Sequence, residues 1–116
     1  MEDSHVWQFE ESMWTGNVDH FLESVDEHCL MVVPALPYIL TNSDISLTVK
    51  QGPRWDEVAV TERRITRPQD GLIVIAYKAT ARHQGSHPYS AYCTSTYHRP
   101  TGDGWRMVQH QQTPVD

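Results

Sequence analysis

The stretch Trp105-Arg106-Met107-Val108-Gln109-His110-Gln111-Gln112-Thr113-Pro114 begins apolar and ends polar on both faces. A strand buried on both sides stays rich in Val and Ile, and a half-exposed strand keeps alternating. His110 and Gln112, placed after Val108, therefore suggest a sheet face lined for a ligand. His110 is the candidate catalytic residue, because an imidazole with an ordinary pKa of about 6.5 can give or take a proton near neutral pH. The plainer account is a buried histidine hydrogen-bonded to Ser95 or to a backbone carbonyl.

Other residue types allow other chemistries. Ser95 beside His110 has the form of a nucleophile and its base. The sequence places no acid to orient the imidazole, and it contains no nucleophile elbow. Cys93 could be a reactive thiol near His110, although buried free cysteines mostly behave as small apolar groups. His83 and His87 flank Gly85 and could meet across a hairpin end, but no third metal ligand lies nearby in the sequence, so a solvated turn and no metal is the expectation. Trp7, Trp14, Trp55 and Trp105 could stack on a flat ligand; only Trp14 is assigned to a cavity, the rest to core or interface. Glu62-Arg63-Arg64 with Arg67 has the composition of a small anion site, yet strand alternation divides it between two faces, and a solvated or dimer-facing surface is the default.

The elements that must position these groups are readable from periodicity. Ser4 is a plausible N-cap for a helix in which Val6, Phe9 and Met13, with Trp7 and Trp14, form an apolar stripe ending at Gly16. Asn17 caps a shorter helix whose Val18, Phe21, Leu22 and Val25 share a face, closed by Asp26-Glu27. Cys29 to Val33 is a strand stopped by Pro34, which cannot donate to a ladder. Ser43 or Asp44 could cap a third helix containing Ile45, Leu47 and Val49, although its β-branched residues disfavour it. From Trp55 the period becomes two: strands at 55–67, 72–82, 88–99 and 105–113 are separated by turn-forming residues and make a four-stranded antiparallel meander. Helices followed by a meander give an α+β domain, the helices covering one face of a curved sheet.

Register then sorts the faces. Val74, Ala76, Lys78, Thr80 and Arg82 share the outward side of the second meander strand, and Ile73, Ile75, Tyr77, Ala79 and Ala81 the inward side. A turn centred on Gly85 pairs Tyr77 with Cys93 and Ile75 with Ser95, so Cys93, Ser95 and Tyr97 point inward. A two-residue turn at Gly102-Asp103 pairs Tyr97 with Val108, Ser95 with His110 and Cys93 with Gln112. The expected pocket therefore contains Trp14, Tyr77, Cys93, Ser95, Tyr97 and Gln112 around His110. A one-residue slip in either hairpin would invert this assignment. Tyr92, Thr94, Thr96, His98, Trp105, Met107, Gln109 and Gln111 fall on the outer face, a composition suited to a homodimer interface.

Composition narrows the partners. With 116 residues and 39% hydrophobic content, one core and one domain over residues 1–116 are expected. Asp and Glu outnumber Lys and Arg by 15 to 9, and a net charge of -6 repels phosphate backbones, so nucleic acid is not an expected partner. The longest apolar run, Cys29 to Leu36, is broken by Pro34 and falls short of the roughly 20 residues that span a bilayer. The acidic start lacks the basic end and apolar run of a signal peptide. Two cysteines without metal-ligand spacing make a reduced, cytoplasmic chain the simplest account, with a disulfide between Cys29 and Cys93 left open.

Phe9 to Trp14, Met31-Val32-Val33-Pro34 and above all the Gly102-Asp103-Gly104-Trp105-Arg106-Met107-Val108-Gln109-His110-Gln111 stretch carry a resemblance over nearly the whole chain. It resembles the nuclear transport factor 2-like superfamily, in particular SnoaL-like proteins and the association domain of calcium/calmodulin-dependent kinase. The resemblance implies a cystatin-like cone, a pocket between helices and sheet, and homodimers formed through the outer sheet face; it implies no single activity. The superfamily's ketosteroid isomerases use a helix-one tyrosine as oxyanion donor and an aspartate before the strand-ending proline as base, roles that fall at Phe9 and Val33. A phenyl ring donates no hydrogen bond and an isopropyl group takes no proton, so that mechanism is absent as written. The resulting expectation is a cofactor-free, homodimeric protein whose pocket takes a small, largely apolar ligand. An isomerase, dehydratase or cyclase using His110, or a structural dimerisation module, are the alternatives.

Overall fold

A computed structural model describes residues 1–100 and 104–115. Helix α1 spans Asp3–Thr15 and is N-capped by Glu2, with Ser4 inside the first turn instead of at the cap. Its end is fixed by Gly16, whose N–H bonds to the Ser12 carbonyl at 2.8 Å. A Cβ there would lie 2.5 Å from that oxygen, so no larger residue fits without movement. Helix α2, Val18–Ser24, begins as expected at Asn17, whose side chain accepts from the His20 N–H at 2.8 Å.

Strand β1, Val25–Val32, starts four residues earlier than expected and directly after α2. Val25 is drawn into the sheet by pairing with Met107, and an irregularity before Leu30 bulges the polar Asp26-Glu27-His28 outward. After Pro34 the chain turns back through a short β2, Ile39–Leu40, which pairs antiparallel with Met31 and Val32. Two residues are too few to leave a periodic signal. Helix α3, Asn42–Gln51, forms despite its β-branched residues. Its N-cap is Thr41, not Ser43 or Asp44; Asp44 sits at the third helical position and accepts from the Thr41 N–H at 3.0 Å, the reciprocal half of a capping box.

The meander follows as β3 (Glu57–Gln69), β4 (Leu72–Arg82), β5 (Tyr89–His98) and β6 (Arg106–Pro114). With β1 parallel to β6, the sheet runs β2-β1-β6-β5-β4-β3. Tyr77 pairs with Cys93, Ile75 with Ser95, Ser95 with His110 and Cys93 with Gln112, the register read from the sequence. The Gly102-Asp103 turn lies outside the described residues. The pairing of Tyr97 with Val108 is replaced by Tyr97 with Met107, because a bulge between Thr96 and Tyr97 leaves Val108 unpaired. One extra residue reverses the alternation. Met107 therefore lies in the core at 1% exposure instead of on the outer face, and Trp105 packs partly buried beside Arg99.

The core fills the space between α1, α2, α3 and the inner sheet face, where Ile73, Ile75, Tyr77, Ala79 and Ala81 are all buried. Salt bridges from Arg63 to Glu11 and from Arg67 to Asp3 tie α1 to β3, so these arginines serve the helix–sheet contact. Among the described residues no helix is long and apolar enough to cross a membrane.

Candidate functional site

Val6, Trp7, Glu10, Met13 and Trp14 recur at the three- and four-residue spacing of one helix face, and all are buried against the sheet. Glu10 is 0% exposed. A carboxylate in that position is tolerable only if donors surround it. Three hydroxyls do so: Tyr77 donates to Oε2, Tyr97 to Oε1 and Ser95 to Oε2, the last at 2.8 Å. Burial first, and the neighbouring Glu10 second, push both tyrosines well above the ordinary range, so both stay protonated. The Trp14 indole N–H donates to the Tyr77 oxygen at 3.0 Å and completes this buried network.

From Ser95 the network reaches the imidazole. Ser95 Oγ lies 2.7 Å from His110 Nδ1, and Glu10 Oε2 lies 3.6 Å from the same nitrogen. On the other side of the ring, His110 Nε2 is 3.1 Å from Gln112 Nε2, and the Tyr89 hydroxyl donates to Gln112 Oε1 at 2.9 Å. Burial lowers the His110 pKa from 6.5, against the raising pull of Glu10, so the ring is neutral at pH 7.

His110 and Gln112 lie in the lining of a cavity of about 240 Å³ between the helices and the sheet. Met13, Phe21, Met31, Ile45, Val49 and Met107 give it apolar walls, and Thr48 and Pro53 belong to its lining as well. Arg54 also lines it, but its guanidinium donates to the carbonyls of Gly16 (2.9 Å) and Met13 and lies 4.8 Å over the Phe21 ring. That cation caps the C-terminus of α1, whose last turn has no basic residue of its own.

Trp14 lies in the cavity lining, 6.0 Å edge-on from the His110 ring. Trp55 lines it too, although the sequence suggested core or interface; its ring stacks on His83 at 4.0 Å and on Tyr89 at 5.7 Å. Tyr77, Ser95 and Tyr97, expected on the pocket wall, are not in its lining; their hydroxyls are turned to the buried carboxylate of Glu10. Cys93 is likewise not in the lining, and its thiol bonds to the Ala91 carbonyl at 3.8 Å. Burial pushes the thiols of Cys93 and Cys29 up to about 12, so neither is an active nucleophile. Ser95 and Glu10 both approach His110 at Nδ1, which is not the arrangement of a nucleophilic triad, where serine and acid occupy opposite nitrogens. Phe9 packs edge-on against Tyr97 at 5.2 Å, and Val33 is part of the cavity lining. Among the described residues no group of three or more His, Cys, Asp or Glu is placed to hold a metal ion.

Glu10 is the site residue that the sequence reading missed. Its signal was available: a charged residue at the spacing of Val6, Met13 and Trp14 is an exception within an apolar stripe.

No protein-family model matches the sequence, and no curated protein matches it. Solved structures match its fold closely. A candidate ketosteroid isomerase from Parabacteroides distasonis superposes with a TM-score of 0.81 at 16% identity, over 96% of this chain and 86% of the other. A nuclear transport factor 2-like protein of unknown function in nutrient uptake, from Rhodospirillum rubrum, gives 0.77 at 14% identity over 96% and 98%. The association domain of C. elegans CaMKII gives 0.74 at 11% over 95% and 90%. The chain thus has the nuclear transport factor 2-like fold, an α+β cone shared by proteins of different roles.

Proposed function

We propose that this chain binds a small, largely apolar molecule in the cavity between its helices and sheet, with one or two polar groups of that molecule directed at His110 and Gln112. The observation that carries this reading is the contrast within one cavity: apolar walls from α1, α2, β1, α3 and β6, and a polar floor of His110 and Gln112 that Ser95 and Tyr89 hold by hydrogen bonds. A thermal-shift panel of small bicyclic alcohols and ketones tests it. The wild type is expected to be stabilised by some members, and Thr48→Trp, which fills the cavity from an exposed position on α3, to lose that response. Equal shifts in both proteins would remove the cavity as the binding site.

A second reading is an isomerase, dehydratase or cyclase in which His110 acts as general acid or base. It is favoured by the neutral ring and by the backing of Nδ1 by Ser95 and Glu10; Nε2, which meets the Gln112 amide at 3.1 Å, would transfer the proton once a substrate displaces that amide. His110→Ala would then abolish turnover of a substrate that the wild type converts, while keeping the wild-type circular dichroism spectrum. A purely structural dimerisation module is the remaining alternative, supported if no member of the panel binds.

The proposal includes a homodimer formed through the outer sheet face. Tyr92, Leu30, Val32 and Ile39 are exposed there at 43 to 63%, beside Thr94, Thr96, Gln109 and Gln111. Neighbours that are CaMKII association domains lend support to self-association.

A further inference from the structure

The hydrogen bonds behind the cavity have a direction, and that direction determines which ligand groups the floor accepts. An indole N–H only donates, so the Tyr77 oxygen accepts from Trp14 and its own proton goes to Glu10 Oε2. Tyr97 gives its proton to Oε1. With both tyrosines donating, Glu10 is the acceptor at the head of the network, and Ser95 donates to it as well at 2.8 Å. A serine hydroxyl has one proton; having given it to Glu10, Ser95 Oγ can meet His110 Nδ1 at 2.7 Å only as an acceptor. Nδ1 therefore carries the ring proton, and in a neutral imidazole Nε2 is then a bare lone pair.

The other end runs in the same sense. The Tyr89 hydroxyl donates to Gln112 Oε1 at 2.9 Å, which turns the amide nitrogen of Gln112 towards His110 Nε2, 3.1 Å away. The Gln112 amide thus fills the single lone pair of His110 Nε2, and the polar floor is an acceptor–donor pair that a ligand group enters by inserting between the two. Resting on the pocket reading above, we propose that the cavity selects neutral ligands bearing a hydroxyl, which takes the place of the Gln112 amide at His110 Nε2, donates to that lone pair and accepts from the released amide, and that Glu10 sets this selection from behind as a positioning residue. An ether of the same shape offers no proton to Nε2. A carboxylate offers none either, and its charge would be taken from water into a cavity with apolar walls.

The test has two parts. Long-range ¹H–¹⁵N correlation spectra of ¹⁵N-histidine-labelled protein at neutral pH report which ring nitrogen of His110 is protonated. A protonated Nδ1 and a bare Nε2 are expected, and the opposite tautomer overturns the proposal. Titration with 2-naphthol, 2-methoxynaphthalene and 2-naphthoate then reads the selection: naphthol is expected to bind at least about tenfold more tightly than either analogue, the loss of one hydrogen bond to a buried acceptor. Equal affinities overturn it. Glu10→Gln, whose amide adds a donor where Ser95 and the tyrosines need an acceptor, is expected to shift the tautomer signals and to remove the preference for naphthol over its methyl ether; an unaltered preference with altered tautomer signals overturns the role of Glu10. If none of the three probes binds, the pocket reading itself falls, while the nitrogen signals still decide the polarity of the network.

Discussion

Glu10 follows Phe9, the position at which the resemblance to ketosteroid isomerases would place an oxyanion donor, and the two neighbours have opposite fates. Phe9 packs at the edge of the core, whereas Glu10 reaches its centre and organises Tyr77, Tyr97 and Ser95. Glu10→Ala would leave three buried hydroxyls without their acceptor; a loss of about 3 kcal/mol or more is expected in urea denaturation. His110 contributes a pH dependence of definite sign. Its folded-state value lies below 6.5, so the unfolded chain takes up the proton first: stability is full above that pH and falls as the pH drops below it. His110→Gln is expected to flatten this acid limb, read as the difference in urea midpoint between pH 7 and about pH 5.5. The thiols of Cys29 and Cys93 lie near 12, so the native protein at about pH 8 should leave Ellman's reagent unreacted while the denatured chain titrates two thiols. The facing of Ser95 and His110 agrees with the sequence reading, but through the bulge at Val108, which shifts the Tyr97–Met107 register by one residue and so brings His110 opposite Ser95. Glu10 was not read, because its role depends on three hydroxyls 67 to 87 residues away.

Among the elements, the long ones were legible and the exceptions within them were not. The stripe of α1, the Asn17 cap and the β4–β5 register follow from local periodicity and turn chemistry. The two-residue β2 and the bulge at Val108 leave no periodic mark, and the bulge alone moved Met107 from the outer face to the core. Arg54 is an example of support from afar. It lies 38 residues beyond Gly16 and bonds the free carbonyls at the end of α1, so Arg54→Met is expected to cost about 1 to 2 kcal/mol and to lower the thermal midpoint. Because Arg54 also lines the cavity, the same variant tests whether the wall keeps its shape: any bound probe should weaken together with α1.

At the scale of the whole molecule, a sheet covered by helices on one face leaves the other face open. Leu30, Val32, Ile39 and Tyr92 interrupt the polar outer surface. Light scattering at micromolar concentration is expected to give a dimer mass, and Val32→Lys to shift it towards the monomer; a monomeric wild type would overturn the homodimer. The fold class was legible from the order of helices and meander, while the pocket's occupant was not, since α1, α2, β1, α3 and β6 each add only part of its wall. The most direct measurement of the central claim is a crystal structure with 2-naphthol bound. The prediction is a naphthalene ring between Met13, Phe21, Met31 and Ile45, with its oxygen in hydrogen-bond contact with His110 Nε2 and Gln112 Nε2. A ring bound elsewhere, or one in the cavity with its oxygen turned away from His110, would contradict it.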